Sequence, residues 1–198
     1  MKFCDITLSY TETSGGIRTY IDAKREYLNR HTDHEHVLII PGETDETITA
    51  GPNTTYRIAS PYLPGCKPYR VFWRPDKIKY ALDESAPDAV ELGSFYVSPW
   101  PTFRYCQQQR DAGRHVVVGG YFHSDIADAY VAGPIRNMPH WSDLTDWLED
   151  RLADLAESGA EAYVGAVFER CDVRLAASSP QATRLLEYGV NGYFDVVP

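Results

Sequence analysis

A chain of 198 residues is long enough for one α/β domain with a sizeable core and too short for two ordinary ones; with 43% hydrophobic and 24% charged residues it is neither disordered nor collagen-like. Its 19 Lys and Arg stand against 28 Asp and Glu, a net charge of −9 that argues against nucleic-acid binding, because phosphate contacts need a basic footprint. Asp5 interrupts the apolar core that a signal peptide requires, and no apolar run approaches a membrane span, so the expectation is a soluble, cytoplasmic protein.

Lys2 to Ser9 alternates and then runs apolar, predicting a buried strand that breaks between Tyr10 and Gly16. A helix follows over Ile17 to Asn29, where Ile17, Tyr20, Ile21, the stem of Lys24, Tyr27 and Leu28 recur at helical spacing. His36 to Ile40 is the next strand, stopped by Pro41-Gly42. Residues 42–52, acidic and without apolar periodicity, read as an exposed loop. Thr54 to Ala59 is a short strand, residues 61–68 a Pro/Gly-rich connection, and Arg70 to Leu82 a helix with Pro75 at a boundary or kink. Asp88 to Leu92 is a strand and Trp100 to Ala112 a helix. His115 to Phe122 is a β-branched run of the kind found in central parallel strands.

A short helical stretch around Asp125 to Val131 precedes an amphipathic helix over Ser142 to Ser158. Ser142 is its N-cap, and Leu144, Trp147, Leu148, Leu152 and Leu155 form its apolar stripe. Asp143, Asp146, Glu149, Asp150, Asp154, Glu157 and Glu161, set against Arg151, read as a solvated face. A further helix over Ala160 to Arg170, a strand over Val173 to Ala177, a helix over Ser179 to Tyr188 closed by Gly189, and a strand over Tyr193 to Val197 complete the chain. This alternation predicts an α/β, Rossmann-like fold: a mostly parallel, doubly wound sheet with helices on both faces. Ligands of such sheets bind at the carboxyl ends of the strands, near a topological switch.

Cys4, Cys66, Cys106 and Cys171 are scattered, with no C-x-x-C pair and no His at ligand spacing. All four read as reduced structural cysteines, and no metal site is expected. Ser14-Gly15-Gly16, at the first strand-to-helix turn, lets backbone amides approach a diphosphate without an intervening Cβ, although such a pair also makes plain turns. His123-Ser124-Asp125 presents an imidazole and a carboxylate where a parallel strand empties into the crevice; a histidine there is also often a hydrogen-bonded structural residue. His31, His34 and His36 flank a helix end and a strand start without a third ligand. Ser98 or Ser178 beside His123 and Asp125 lacks the nucleophile elbow of a serine hydrolase. Asp88 and Glu91 are candidate acid/base carboxylates, Asp88 reading better as the end of a turn. Lys67 to Lys79 carries five cations against Asp76, interleaved with Tyr69, Phe72 and Trp73. It is either a docking surface for an anionic or amphipathic acceptor or a surface helix with one basic and one buried aromatic face.

Taken together, Ser14-Gly-Gly-Ile-Arg-Thr-Tyr20, Pro87-Asp-Ala-Val-Glu-Leu-Gly-Ser-Phe-Tyr96, Gly120-Tyr-Phe-His-Ser-Asp125, Cys171-Asp-Val-Arg-Leu-Ala-Ala-Ser178 and the closing Glu187-Tyr-Gly-Val190 with Phe194-Asp-Val-Val-Pro198 resemble the N-terminal domain of retaining GT-B glycosyltransferases of the group 1 type, mannosyltransferase-like and sulfolipid-synthase-like members most. The resemblance implies two Rossmann-like domains with the reaction between them, of which residues 1–198 would be the single acceptor-side domain, without its C-terminal donor-binding domain. It implies Gly15 and Gly16 at the donor diphosphate, and His123 and Asp125 at the reaction centre. Tyr96, Arg70 and Trp73 are the candidates for acceptor binding. A nucleotide-sugar donor would serve as co-substrate, with no other cofactor and no metal, and a sugar or lipid-linked acceptor would receive a hexose. Self-association through the exposed cleft face and transient contact with the inner face of the membrane are further expectations. Gly93, polar in some relatives, and Ser124 within the His-Asp pair depart from the pattern. The competing reading is a non-catalytic Rossmann-like module for a nucleotide or sugar phosphate.

Overall fold

A computed structural model describes residues 1–12, 14–63, 67–95, 97–123 and 143–197, with the backbone alone over 143–153. It divides into two compact units, Met1–Tyr121 and Phe122–Pro198.

The first unit runs β1 (Lys2–Ile6), α1 (Gly15–His31), β2 (Glu35–Gly42), β3 (Glu46–Ala50), β4 (Asn53–Ala59), α2 (Pro75–Ser85), β5 (Ala89–Leu92), α3 (Pro99–Asp111) and β6 (Val117–Phe122), whose last residue opens the second unit. The strands lie in the order β3-β4-β2-β1-β5-β6. Every pairing is parallel except that of β3 with β4. Successive strands are added on one side of β1 and then on the other, so the topological switch falls between β1 and β5.

Strand alternation decides the two faces. Phe3 pairs with His36 and Asp5 with Leu38 and Glu91, placing these side chains on one face. There Ile21 of α1 packs with Leu38 and Ile40. Cys4, Ile6, Val37, Ile39, Val90 and Leu92 point the other way and are buried, as are Ile78, Ala81 and Leu82 of α2 and Tyr105 and Cys106 of α3. Each fully buried aliphatic or aromatic side chain contributes about 1.5–3 kcal/mol relative to exposure, so this layer supplies most of the drive to fold.

The second unit holds α4 (Asp143–Phe168), β7 (Val173–Ala176), α5 (Ser179–Glu187) and β8 (Asp195–Val196), with β7 and β8 parallel. Phe122 meets Phe168 and Tyr188 edge-on, with ring centroids 5.9 and 6.1 Å apart, around buried Val164, Val167, Leu185 and Val190. Ser178 caps α5 by accepting the Gln181 N–H, and Gly189 follows at φ +81°.

Five expectations need correction. Residues 42–52 are not a loop throughout: Glu46–Ala50 forms antiparallel β3, turned back by Gly51 at φ +58°. All five of its residues are exposed, so it carries no apolar periodicity; the β-branched Thr47-Ile48-Thr49 was its sequence signal. The helix expected from Arg70 begins at Pro75, which occupies the first turn, where its missing N–H costs nothing. The two helices expected on either side of Gly159 are one, because Ala156, Glu157, Ala160 and Glu161 are strong enough helix formers to outweigh a single glycine. Leu155 is 74% exposed rather than part of an apolar stripe, and Glu157 and Glu161 face Arg184, 3.9 and 3.2 Å away, instead of open solvent. Ser142, the short helix near Asp125 and the side chains of Leu144 to Leu152 lie outside what is described.

The two glycines of α4 should respond oppositely to alanine. A Cβ at Gly159 meets nothing within 4 Å, so Gly159→Ala is expected to raise the thermal midpoint, by the equivalent of about 0.5–1 kcal/mol. A Cβ at Gly165 would overlap the Tyr188 backbone carbonyl, so Gly165→Ala is expected to lower stability by at least about 1–3 kcal/mol. Urea unfolding of both variants checks the contrast; equal effects would contradict this packing of α4 on the turn after α5.

Candidate active site

At the carboxyl end of β1 the chain turns through Thr7 to Ser14 into α1. Ser14 sits at the N-cap but does not cap: its hydroxyl turns back to Thr11, accepting the Thr11 N–H at 3.2 Å and lying 2.7 Å from Thr11 Oγ1. Gly15 and Gly16 therefore lead the helix with no side-chain cap, and a Cβ built on either meets nothing within 4 Å. This is an open helix N-terminus, the partial positive end of the helix dipole, at the end of the first parallel strand. At the switch itself the loops after β1 and β5 close on each other. Ser94 Oγ accepts the Leu8 N–H at 2.8 Å, and the Gly93 N–H donates to the Ile6 carbonyl at 3.0 Å. A side chain at Gly93 would touch Thr7 at 3.4 Å, ordinary contact, so the position is not sterically reserved for glycine.

One strand over, a cavity of about 300 Å³ opens between the turn after β1, with Leu8 and Tyr10, and the end of β2 at Pro41 and Gly42. Its far wall is Pro68 and Arg70. The loop carrying Arg70 is held by Leu63 N–H to Tyr69 O and Val71 N–H to Pro61 O, 2.9 and 3.0 Å. Arg70 Nη1 donates to the Ser60 carbonyl at 2.6 Å, and its guanidinium lies 3.8 Å from the Tyr62 ring centroid. Trp73, 63% exposed, donates its indole N–H to the neighbouring Ala59 carbonyl at 3.2 Å. The basic aromatic segment is thus not a helix with one basic face. Arg70 and Trp73 are pinned to the carbonyls at the end of β4, while Lys77 and Lys79 belong to α2 and pair with Asp45 and Asp83.

Beneath α1 lies a charged network. Asp5 and His36 are almost wholly buried, with 2.5 Å between Asp5 Oδ2 and His36 Nε2. Arg25 Nε donates to His36 Nδ1 at 2.9 Å; that nitrogen must accept, so the imidazole is neutral and its Nε2–H donates to Asp5. Lys24 reaches over the sheet to Asp5 at 2.8 Å and to Glu91 at 2.9 Å, and Tyr20 donates to Glu91 at 3.1 Å. Burial would raise Asp5, but the hydrogen bond from His36 and the charge of Lys24 outweigh it and hold the carboxyl below its ordinary range. Burial, helped by the neighbouring Asp5 charge, pushes Glu91 up to about 7. The Lys24 ammonium is held above its ordinary value because its two carboxylate partners outweigh its own burial.

A family model described as Glycosyltransferase Family 4 matches residues 14–198. The chain belongs to that family. A search of curated proteins finds no match. Among solved structures, this glycosyltransferase domain is similar to a UDP-GlcNAc 2-epimerase from Neisseria meningitidis bound to UDP-GlcNAc, at 12% identity and a TM-score of 0.48, over 99% of this chain and 45% of that one. It is similar also to a UGT transferase from Siraitia grosvenorii in complex with UDP, at 10% identity and a TM-score of 0.45, over 100% of this chain and 50% of that one. The domain thus spans about half the length of these structures.

In this family 4 domain the expected site residues separate. Gly15, Gly16 and Arg70 lie in the first unit at the carboxyl ends of β1, β2 and β4. His123 follows β6 in the second unit, its backbone carbonyl fixed by Gln181 Nε2 at 2.6 Å, so the first turn of α5 sets where the histidine stands. Asp125, Ser124 and Tyr96 lie outside the described residues. Asp88 is structural, as its place before β5 suggested: it accepts from Arg114 at 2.7 Å and from the Lys2 N–H at 2.8 Å, which hold its carboxyl below the usual range. Cys4, Cys106 and Cys171 are buried thiols in no disulfide among the described residues; Cys66 lies outside the described residues. Among the described residues no helix is long and apolar enough to cross a membrane.

Proposed function

We propose that this family 4 domain is the acceptor-side half of a nucleotide-sugar-dependent, retaining glycosyltransferase that moves a hexose to a sugar or lipid-linked acceptor and works only with a C-terminal donor-binding domain. The observation that carries the reading is the open, glycine-led start of α1 at the carboxyl end of β1. Amides there can approach a donor diphosphate closely, and the helix dipole favours the negative charge that builds on it as the glycosidic bond breaks. The leaving diphosphate is held in this way by amides and cationic side chains, without a metal ion. His123 stands beside the transferred sugar, with Asp125 orienting the site.

The test is sugar transfer from a panel of labelled nucleotide sugars by the complete gene product, alongside its His123→Ala variant and the 198-residue chain alone. Transfer by the complete protein is expected, with His123→Ala slower by about a hundredfold or more and the isolated domain inactive, since groups from both sides of a cleft must be positioned together. A folded complete protein that binds but neither hydrolyses nor transfers any donor would favour a non-catalytic nucleotide or sugar-phosphate module. Undiminished activity in His123→Ala would remove that residue from the reaction centre.

A further inference from the structure

We infer that the cavity beside Arg70 takes the anionic group, a phosphate or a carboxylate, of a sugar-bearing acceptor; this rests on the acceptor-side reading. Arg70 is fixed before any ligand arrives, through Nη1 on the Ser60 carbonyl and its guanidinium over Tyr62. Its Nε and Nη2 take no partner among the described residues. That leaves one edge of the planar fork, two parallel N–H donors, unused on a residue that lines the cavity together with apolar Leu8, Pro41 and Pro68 and polar Tyr10, Thr11 and Glu12. A preoriented cation binds an oxyanion at little entropic cost. The volume of about 300 Å³ is at the small end of ligand cavities and suits a monosaccharide-sized group. Glu12 lies exposed on the rim. Its carboxylate repels a bare anion and accepts hydrogen bonds from hydroxyls, so a sugar carrying the anion is selected over an inorganic ion. Gly42 also lines the cavity; a Cβ there would lie 2.9 Å from Arg57 Cβ, so packing against β4 holds this position to glycine.

Calorimetric titration of the 198-residue chain with glucose 1-phosphate, glucuronic acid and glucose tests this, with co-sedimentation on phosphatidylcholine vesicles with and without a polyprenyl-diphosphate-linked glucose as the lipid arm. Both anionic sugars, or the vesicles carrying the lipid-linked sugar alone if the acceptor is lipid-linked, are expected to bind at least about tenfold more tightly than the matching neutral probe, glucose or plain vesicles. Arg70→Gln should weaken that binding by about ten- to a hundredfold, and Arg70→Lys, which keeps the charge and loses the fork, by less. Leu8→Trp fills the cavity from the opposite wall and should abolish binding with Arg70 intact, which guards against an Arg70 variant that merely loosens its loop. Equal affinity for glucose, anion binding unchanged in Arg70→Gln, or no binding of any probe by the folded chain would each overturn the assignment. None of these outcomes bears on transfer itself, which is read independently through His123.

Discussion

Replacing Lys24 with methionine is expected to lower the unfolding free energy by about 3–5 kcal/mol at neutral pH, the range for removing one partner from a buried ion pair. Lys24 bridges Asp5 and Glu91, whose side chains are 5% and 18% exposed. Methionine keeps most of the apolar stem packed under α1, so the loss isolates the charge. The cost should depend on pH in a defined direction. The unfolded Glu91 carboxyl releases its proton near its ordinary 4.5, whereas the folded one retains it to about 7. Between those values the folded chain binds more protons than the unfolded chain, so the Glu91 contribution to stability falls as pH rises through this window. Asp5 acts oppositely: its lowered pKa contributes stability above its ordinary 3.8 that is lost at lower pH. Lys24→Met should therefore cost less at pH 5, where Glu91 carries its proton, than at pH 8. Glu91→Gln should lose the decline between about 4.5 and 7 that the parent shows. Urea unfolding of the three proteins across that range decides it; a Glu91→Gln profile parallel to the parent's would remove Glu91 as the source.

Gly16→Val is expected to reduce sugar transfer by about a hundredfold or more while leaving the fold intact. The separation of the two effects follows from geometry: a Cβ at Gly16 meets nothing within 4 Å among the described residues, so harm to transfer is expected from what approaches from outside. Displacing a bound diphosphate by about 1 Å is enough for a loss of that size. Gly16→Ala sharpens the contrast, because alanine in the first turn should stabilise α1 by about 0.5–1 kcal/mol while still intruding on the ligand. Melting temperature and transfer rate, measured on the same preparations of the complete protein, give both readouts. Unchanged transfer in Gly16→Val would mean that no diphosphate approaches this turn.

The parallel order of the sheet was legible because β2 and β5 are apolar runs bounded by Pro and Gly, and because Ile21 and Leu28 mark the buried side of α1. The charged network was not. Asp5, Lys24, His36 and Glu91 were each noticed, but as a break in an apolar run, a helix stem, a flanking histidine and a strand carboxylate. What joins them is strand register, which pairs Asp5 with Glu91 and Phe3 with His36 and which no single segment reveals. The usable signal was that three strands with otherwise apolar interiors each carry one ionisable residue, and that a lysine stands on the apolar side of the helix between them. The anchoring of Arg70 was hidden for a different reason. It depends on the backbone carbonyl of Ser60, which looks like any other in the sequence, and on Pro75 starting α2 late enough to leave Arg70 ahead of the helix.

The short hairpin that sequence periodicity passes over has a protective role in the sheet. Without β3, the outermost strand of the first unit would be β4, a seven-residue run containing Tyr56 and Ile58, long and sticky enough to recruit a stray strand. With β3 in place the border is only five residues long, carries Glu46 at one end and turns directly into Gly51-Pro52 at the other. An incoming chain therefore finds a brief, charged margin with no room to extend its ladder, and the acidic segment that resembles a loop serves as the selvage that keeps the sheet from joining others.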